Sequence, residues 1–178
     1  MTTTITENEK LTQPTFDPRE LRSAFGQFVT GVTIATSRDL DGSLIGMTAN
    51  SFSSVSMDPP LLMFCPASHL PSLPAFERAG HFAINILAAS QGELAKHFAR
   101  PSENKFAGVD YSSGIFGAPV INGSVATFEC TLFASHDAGD HKILIGEIHD
   151  FVANPESRAL VFHRGKMVTN HNERKSHE

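Results

Sequence analysis

Strand-like runs in this chain mostly follow one another in succession, without a helix after each. That order constrains the fold more than any other feature. Val32 to Thr36 alternates branched and small residues, Asp41-Gly42 is a hairpin signal, and Leu44 to Ser54 continues short of charge and rich in Ser, Thr and Asn. Asp58-Pro59-Pro60 forbids helix, and Leu61 to Cys65 is uniformly apolar, as in a buried strand. His81 to Leu87 alternates, with Phe82, Ile84 and Ile86 on one face. Ser124 to Ser135, Lys142 to Val152 and Ala159 to His163 complete the set, with a tight turn at Gly139-Asp140 between the first two. A doubly wound parallel sheet would need a helix after each strand. The order predicts about six or seven strands in an antiparallel β-barrel with peripheral helices.

Three helices are predicted. Asp17 suits an N-cap, Pro18 the first helical position, and Glu20 a capping box, with Phe16 and Leu21 as a hydrophobic staple. Leu21, Phe25 and Phe28 then form one apolar stripe, and Gly31 is expected to end the element. A proline-rich loop from 66 to 74 leads to a short helix near Ala75–Ala79. Ser90-Gln91-Gly92-Glu93 reads as a second capping box, opening a helix to Ala99. Residues 101–119 read as a long surface excursion. Residues 1–14 are expected to be a disordered polar lead-in without the marks of a secretory signal, residues 15–168 one domain, and residues 169–178 a polar tail.

Composition excludes several functions. Lys and Arg total 14 against 19 Asp and Glu, a net charge of −5 over 178 residues, which disfavours nucleic acid and anionic membrane as partners. No run of about 18 apolar residues is present to span a bilayer. Cys65 and Cys130 sit in apolar runs and read as thiols, which suits the cytoplasm. The chain has no Gly-x-Gly-x-x-Gly, no Walker loop and no Gly-x-Ser-x-Gly elbow. The spacing of His136, His141 and His149 matches no metal framework, so no metal site is expected.

The unusual segment is Ile45-Gly46-Met47-Thr48-Ala49-Asn50-Ser51-Phe52-Ser53-Ser54-Val55-Ser56, where hydroxyls and an amide crowd an uncharged strand. One reading is a polar edge strand. The other is a cradle for a flat ring and a phosphate, with neutral donors holding the anion and Gly46 admitting a ring close to the backbone.

Seven segments in order resemble the flavin reductase-like family. They are Leu21 to Thr33, Gly46 to Phe52, Ser56 to Leu61, Phe82 to Leu87, Phe106 to Val109, Gly139-Asp140-His141 and Leu160 to Gly165. The resemblance spans about Asp17 to Val168. It implies an FMN-binding antiparallel split β-barrel, mainly β with peripheral helices, usually a homodimer with the flavin near the subunit interface. It implies that Leu44, Gly46, Met47, Thr48 and Ala49 lie along the flavin, that Asn50 and Ser51 bind it, and that Cys65, Pro66 and Ala67 line it. Ser72 is then a phosphate contact, although Pro71 beside it departs from the family's pattern. His97, Phe98, Ala99 and Arg100 match another flavin-contacting stretch, in which Arg100 is either a phosphate partner or a solvated helix-end cation. Asn85 reads as a structural amide. The nicotinamide side falls on His141, Phe162, His163, Arg164 and Gly165, with His163 where an aromatic is common.

The activity so implied is NAD(P)H:flavin oxidoreduction. Hydride passes from nicotinamide to flavin N5, and reduced flavin diffuses to a flavin-dependent oxygenase. No protein nucleophile or obligatory acid is required, so no catalytic side chain is assigned. FMN or FAD, and NADH or NADPH, stay open, with Arg164 or Lys166 available to a 2′-phosphate. The alternatives are a flavin-binding sensor and a split-barrel flavoenzyme acting on its own organic substrate.

Overall fold

The computed structural model describes residues 15–102 and 104–168. The lead-in 1–14 and the tail 169–178 lie outside the described residues.

Helix α1 (Pro18–Phe25) starts as its sequence dictates: the Asp17 carboxylate accepts the N–H groups of Arg19 at 2.7 Å and Glu20 at 3.3 Å. It ends at Gly26, not at Gly31. Thr30-Gly31 instead forms a short strand, β1, because its backbone pairs with Phe162 and Val161. The stripe of Leu21, Phe25 and Phe28 is exposed, and α1 buries no residue against this chain.

The hairpin predicted at Asp41-Gly42 joins β2 (Thr33–Arg38) to β3 (Leu44–Ala49), with Gly42 at φ 87°. Next come β4 (Ser53–Met57), β5 (Pro60–Phe64), α2 (Leu73–Ala79) and β6 (His81–Ile86). After a 3-10 turn at Ala89–Gln91 comes α3 (Gly92–Phe98). The expected Ser90 cap is replaced here. Gln91 Oε1 reaches back to accept the Ala88 N–H at 2.9 Å, so the turn starts two residues earlier.

Residues 101–119 are not a plain surface excursion either. They include β7 (Tyr111–Ser113), which pairs with β8 (Pro119–Ile121). They also bury Phe106, whose ring meets Phe98 and Tyr111 edge to face at 5.1 and 5.3 Å. Aromatic packing of this kind pulls a polar segment onto the core. Two 13-residue strands follow, β9 (Ala126–Ala138) and β10 (His141–Ala153), and then the hairpin β11 (Val161–His163) and β12 (Lys166–Val168).

The main sheet is antiparallel and seven-stranded, in the order β3-β2-β6-β9-β10-β5-β4. Its inner face rolls around one cluster. Ala35, Met47, Leu62, Phe64, Phe82, Ile84, Cys130 and Leu144 come from six of these strands and pack together, with Leu73 and Phe76 of α2 beside them. A second cluster fills the outer face of β2 and β3 under α3: Val32, Ile34, Leu87, Ala95, Phe98, Phe106, Ile121 and Leu160. Asn85 ties the two layers. Its amide donates to Ile34 O and Thr36 Oγ1 and accepts from Ile121 N, so it is structural.

The two edges of the sheet, β3 and β4, are consecutive in the chain and joined only by residues 50–52. No ladder closes them. The Ser51 hydroxyl instead ties the crossover to the end of β5, accepting from Cys65 N at 2.9 Å and donating to Cys65 O at 3.3 Å. The fold is an antiparallel split β-barrel with peripheral helices.

Candidate functional site

An edge strand carries backbone groups with no partner strand, and β3 presents them to a cleft. The cleft holds about 380 Å³. Its walls are β3 (Leu44 to Thr48), the Leu70-Pro71-Ser72 approach to α2, and the end of α3 with its following loop (Phe98 to Ser102 and Lys105). Of the residues singled out from sequence, Leu44, Gly46, Met47, Thr48, Ser72, Phe98, Ala99 and Arg100 meet here.

The sequence reading missed Lys105. Its ammonium is half-buried in the cleft wall and donates to Gly46 O and Phe98 O, both at 3.0 Å. No carboxylate pairs with it among the described residues, and burial pushes its pKa down. The only hint in the sequence was a lone Lys before the buried Phe106.

Because Lys105 reaches Gly46 O from outside the sheet, that carbonyl points away from β2. Backbone N–H and C=O of one strand residue share a side, and the side alternates along the strand. The N–H groups of Leu44, Gly46 and Thr48 therefore face the free edge. Gly46 is required for a different reason than expected. A Cβ there would meet Phe98 Cε1 at 2.4 Å, so its close neighbour is the Phe98 ring. The Thr48 hydroxyl is already committed, donating to Ala95 O at 2.6 Å. Ser72 sits at the start of α2, yet its hydroxyl caps no helix N–H.

Other predicted residues lie around this cleft. The His97 ring bonds Lys105 O at 2.8 Å and so holds the segment that carries Lys105. Ala49 packs inside the barrel. Asn50 lies in a separate recess with Phe28, Thr30 and Phe52, its amide donating to Thr30 Oγ1 at 3.4 Å. Ser51 and Cys65 meet at the split, as described. Ala67 forms a bridge with His141, and Lys142 N donates to Pro66 O, so the Gly139-Asp140-His141 turn abuts the end of β5. His141 Nδ1 lies 2.7 Å from Asp140 Oδ1, and that bond together with the charge of His141 lowers the Asp140 pKa.

Phe162, His163, Arg164 and Gly165 form a third group at the far end of α1. Phe162 packs on the outer cluster and pairs with Thr30. Arg164 and Gly165 make the two-residue turn between β11 and β12, at φ 49° and 75°. Among the described residues, no hydrogen bond, strand pairing or ring contact joins this group to His141.

Residues 25–171 match the model of the flavin reductase like domain. A protein of Rhizobium meliloti named "Probable flavin reductase" is 45% identical over 159 residues, 89% of this chain and 51% of its own length. The chain thus spans about half the length of that relative. The reductase subunit of a flavin-dependent monooxygenase from Rhodococcus jostii is 38% identical, over 91% of this chain and 83% of the relative. Among solved structures, an NADH:FAD oxidoreductase of Streptomyces globisporus in complex with NAD and FAD fragments superposes with a TM-score of 0.81 at 36% identity, covering 87% of this chain and 95% of that one. A match over most of the chain, on a barrel split at the same residues that sequence singled out, places this protein in the flavin reductase like domain family.

Proposed function

We propose that this chain is an NAD(P)H:flavin oxidoreductase that supplies reduced FMN or FAD to a partner flavin-dependent oxygenase. One observation carries the reading: the free edge of β3, with its outward N–H groups and the Lys105 ammonium, faces a cleft of a size suited to a small ligand. Such a donor set fits the electron-rich oxygens and nitrogens of a flavin ring, and the partly exposed Leu44, Ile45 and Leu70 line the cleft with apolar surface. A bound flavin supplies the chemistry, accepting a hydride from nicotinamide at N5.

The protein's own part is binding and orientation. The N–H groups of Gly46 and Thr48 donate to the ring, and Lys105 offsets negative charge that develops on it. Ser72 and Arg100, which line the same cleft, would hold the phosphate. His141, beside Ala67, orients the reductant, and the segment Phe162 to Gly165 takes its other end. No side chain is asked to transfer a proton.

The same reading includes a homodimer. Phe16, Phe25, Phe28 and Phe151 are 63%, 69%, 76% and 64% exposed. Phe151 also continues a stacked row through Phe128 to Phe52, so one end of the row faces solvent. A second copy would cover this surface. Cys65 and Cys130 are free thiols, which supports a cytoplasmic location. Among the described residues, no helix is long and apolar enough to cross a membrane.

Anaerobic stopped-flow with FMN and NADH tests the activity. Flavin bleaching much faster than in the protein-free control is the expected result. Bound flavin that stays oxidised would replace this reading with a sensor or a substrate-specific flavoenzyme.

A further inference from the structure

A lysine attacks an acyl donor only as the neutral amine, so its surroundings decide how readily it reacts. Four lysines fall among the described residues. Lys96 pairs with Glu93 at 2.6 Å. Lys142 pairs with Glu77 at 2.8 Å and Asp137 at 3.3 Å, and these carboxylates push its pKa up. Lys166 is exposed on β12. Lys105 differs from all three. It is half-buried, and no carboxylate lines its cleft or pairs with it among the described residues. Burial alone acts on it, and burial favours the neutral amine.

The amine is also held in place. The His97 ring bonds the Lys105 carbonyl at 2.8 Å, and the buried Phe106 anchors the next residue. Lys105 Nζ donates to Gly46 O and Phe98 O, both at 3.0 Å. As a neutral amine it keeps both bonds with its two N–H groups. Its lone pair then takes the remaining tetrahedral position, turned away from the two carbonyls. Ser72 and Arg100 stand in the same cleft, a hydroxyl and a guanidinium suited to phosphate oxygens. A nucleophile and groups for an anion therefore share one pocket of about 380 Å³.

We infer that Lys105 is an acylation site for small acyl phosphates, and that its acylation switches the flavin cleft off. The Nζ lone pair attacks the acyl carbon, and an N–C bond forms. The C–O bond to phosphorus-bound oxygen breaks, and one amine proton leaves with the phosphate. Nothing is oxidised or reduced, and one acyl phosphate is consumed per chain. The product is a neutral amide with a single N–H. It keeps at most one of the two carbonyl bonds and carries no charge. The acyl group also takes up space between β3 and the end of α3. The modification site stands on the cleft alone; the switch rests on the proposed function for the ligand it displaces.

The test treats the full wild-type chain with acetyl phosphate and follows each lysine by peptide mass spectrometry. Lys105 should be acetylated well before Lys166, and the preference should vanish in urea, where the fold no longer sets the two apart. FMN at about ten times its Kd should slow acetylation of Lys105 about tenfold and leave Lys166 unchanged. Protein carrying one acetyl at Lys105 should bind FMN at least about tenfold more weakly by fluorescence titration. N-hydroxysuccinimidyl acetate, which has no phosphate, should show a smaller preference for Lys105; an equal preference would overturn acyl phosphates as the donor class. Lys105 acetylated no faster than Lys166 in the folded chain would overturn the site. FMN that binds yet gives no protection would overturn the switch. If FMN does not bind the unmodified chain, the flavin reading fails, and the ratio of Lys105 to Lys166 still decides the site.

Discussion

Gly46→Ala is the sharpest test of how β3 is held at the cleft. An added Cβ would stand 2.4 Å from Phe98 Cε1, 2.7 Å from Phe98 Cδ1 and 3.2 Å from Phe106 Cζ. Comfortable carbon contacts lie near ~3.5–4.0 Å, so about 1 Å of movement is required. Phe98 has little room to give it. It is 1% exposed and braced edge to face by Phe106, which is braced in turn by Tyr111. Overpacking of a tight site costs about 1–3 kcal/mol, and the entropic benefit of replacing Gly returns less than about 1 kcal/mol. We expect a net loss of about 2 kcal/mol. For a chain of this size that lowers Tm by about 4–8 °C. Flavin affinity should fall with it, because Gly46 O is also the anchor for Lys105.

Scanning calorimetry and flavin fluorescence quenching read both effects. Gly31→Ala is the control: its Cβ would meet nothing within 4 Å, so its Tm should stay close to that of the wild type. Phe98→Leu in the Gly46→Ala background should recover part of the loss, a coupling visible in a double-mutant cycle. A Gly46→Ala protein with the Tm and flavin affinity of the wild type would refute the argument that ring contact sets this position.

Lys105→Met keeps the stem and deletes the ammonium; flavin affinity should fall about tenfold by fluorescence titration, and an unchanged affinity would remove Lys105 from the site. Asn85→Leu leaves Ile34 O and Ile121 N without their amide partner in a buried layer. It should cost about 3 kcal/mol in urea denaturation, and an unchanged midpoint would refute the structural role. The Glu77 carboxylate is held below its ordinary pKa of 4.5 chiefly by its bond to Lys142, with a smaller contribution from Ser135. A depressed carboxylate pKa adds stability above the unfolded-state value, and that stability is lost as pH falls through the folded-state value. Wild type and Glu77→Gln should therefore differ near neutrality and converge as pH drops below 4.5; a constant gap in Tm across that range would contradict the assignment.

Much of the β framework was legible because it rests on local chemistry. The Asp41-Gly42 turn, the apolar run at Leu61 to Phe64 and the alternation of β6 are readable from neighbours in sequence, and each appears in the sheet. The start of α1 was equally local, since Asp17 caps N–H groups two and three residues away. The end of α1 was not local, because Gly31 pairs with Val161, 130 residues along the chain. The cap at Ser90 failed for a related reason. Gln91 competes for the same role by bonding both Ala88 N and the distant Asn122 O.

The candidate site divides along the same line. Sequence alone singled out the uncharged segment from Ile45 to Ser56 as unusual, and showed that its order among the other motifs resembles one family. Those features depend on composition and spacing, which the chain carries unfolded. Only the tertiary structure decided that β3 is an edge strand, that Lys105 arrives from a different segment to face it, and that Arg164 meets Arg19 and Arg22 across a cleft. A free edge, a half-buried ammonium and a convergence of like charges are relations between segments far apart in the chain, and packing alone brings them together.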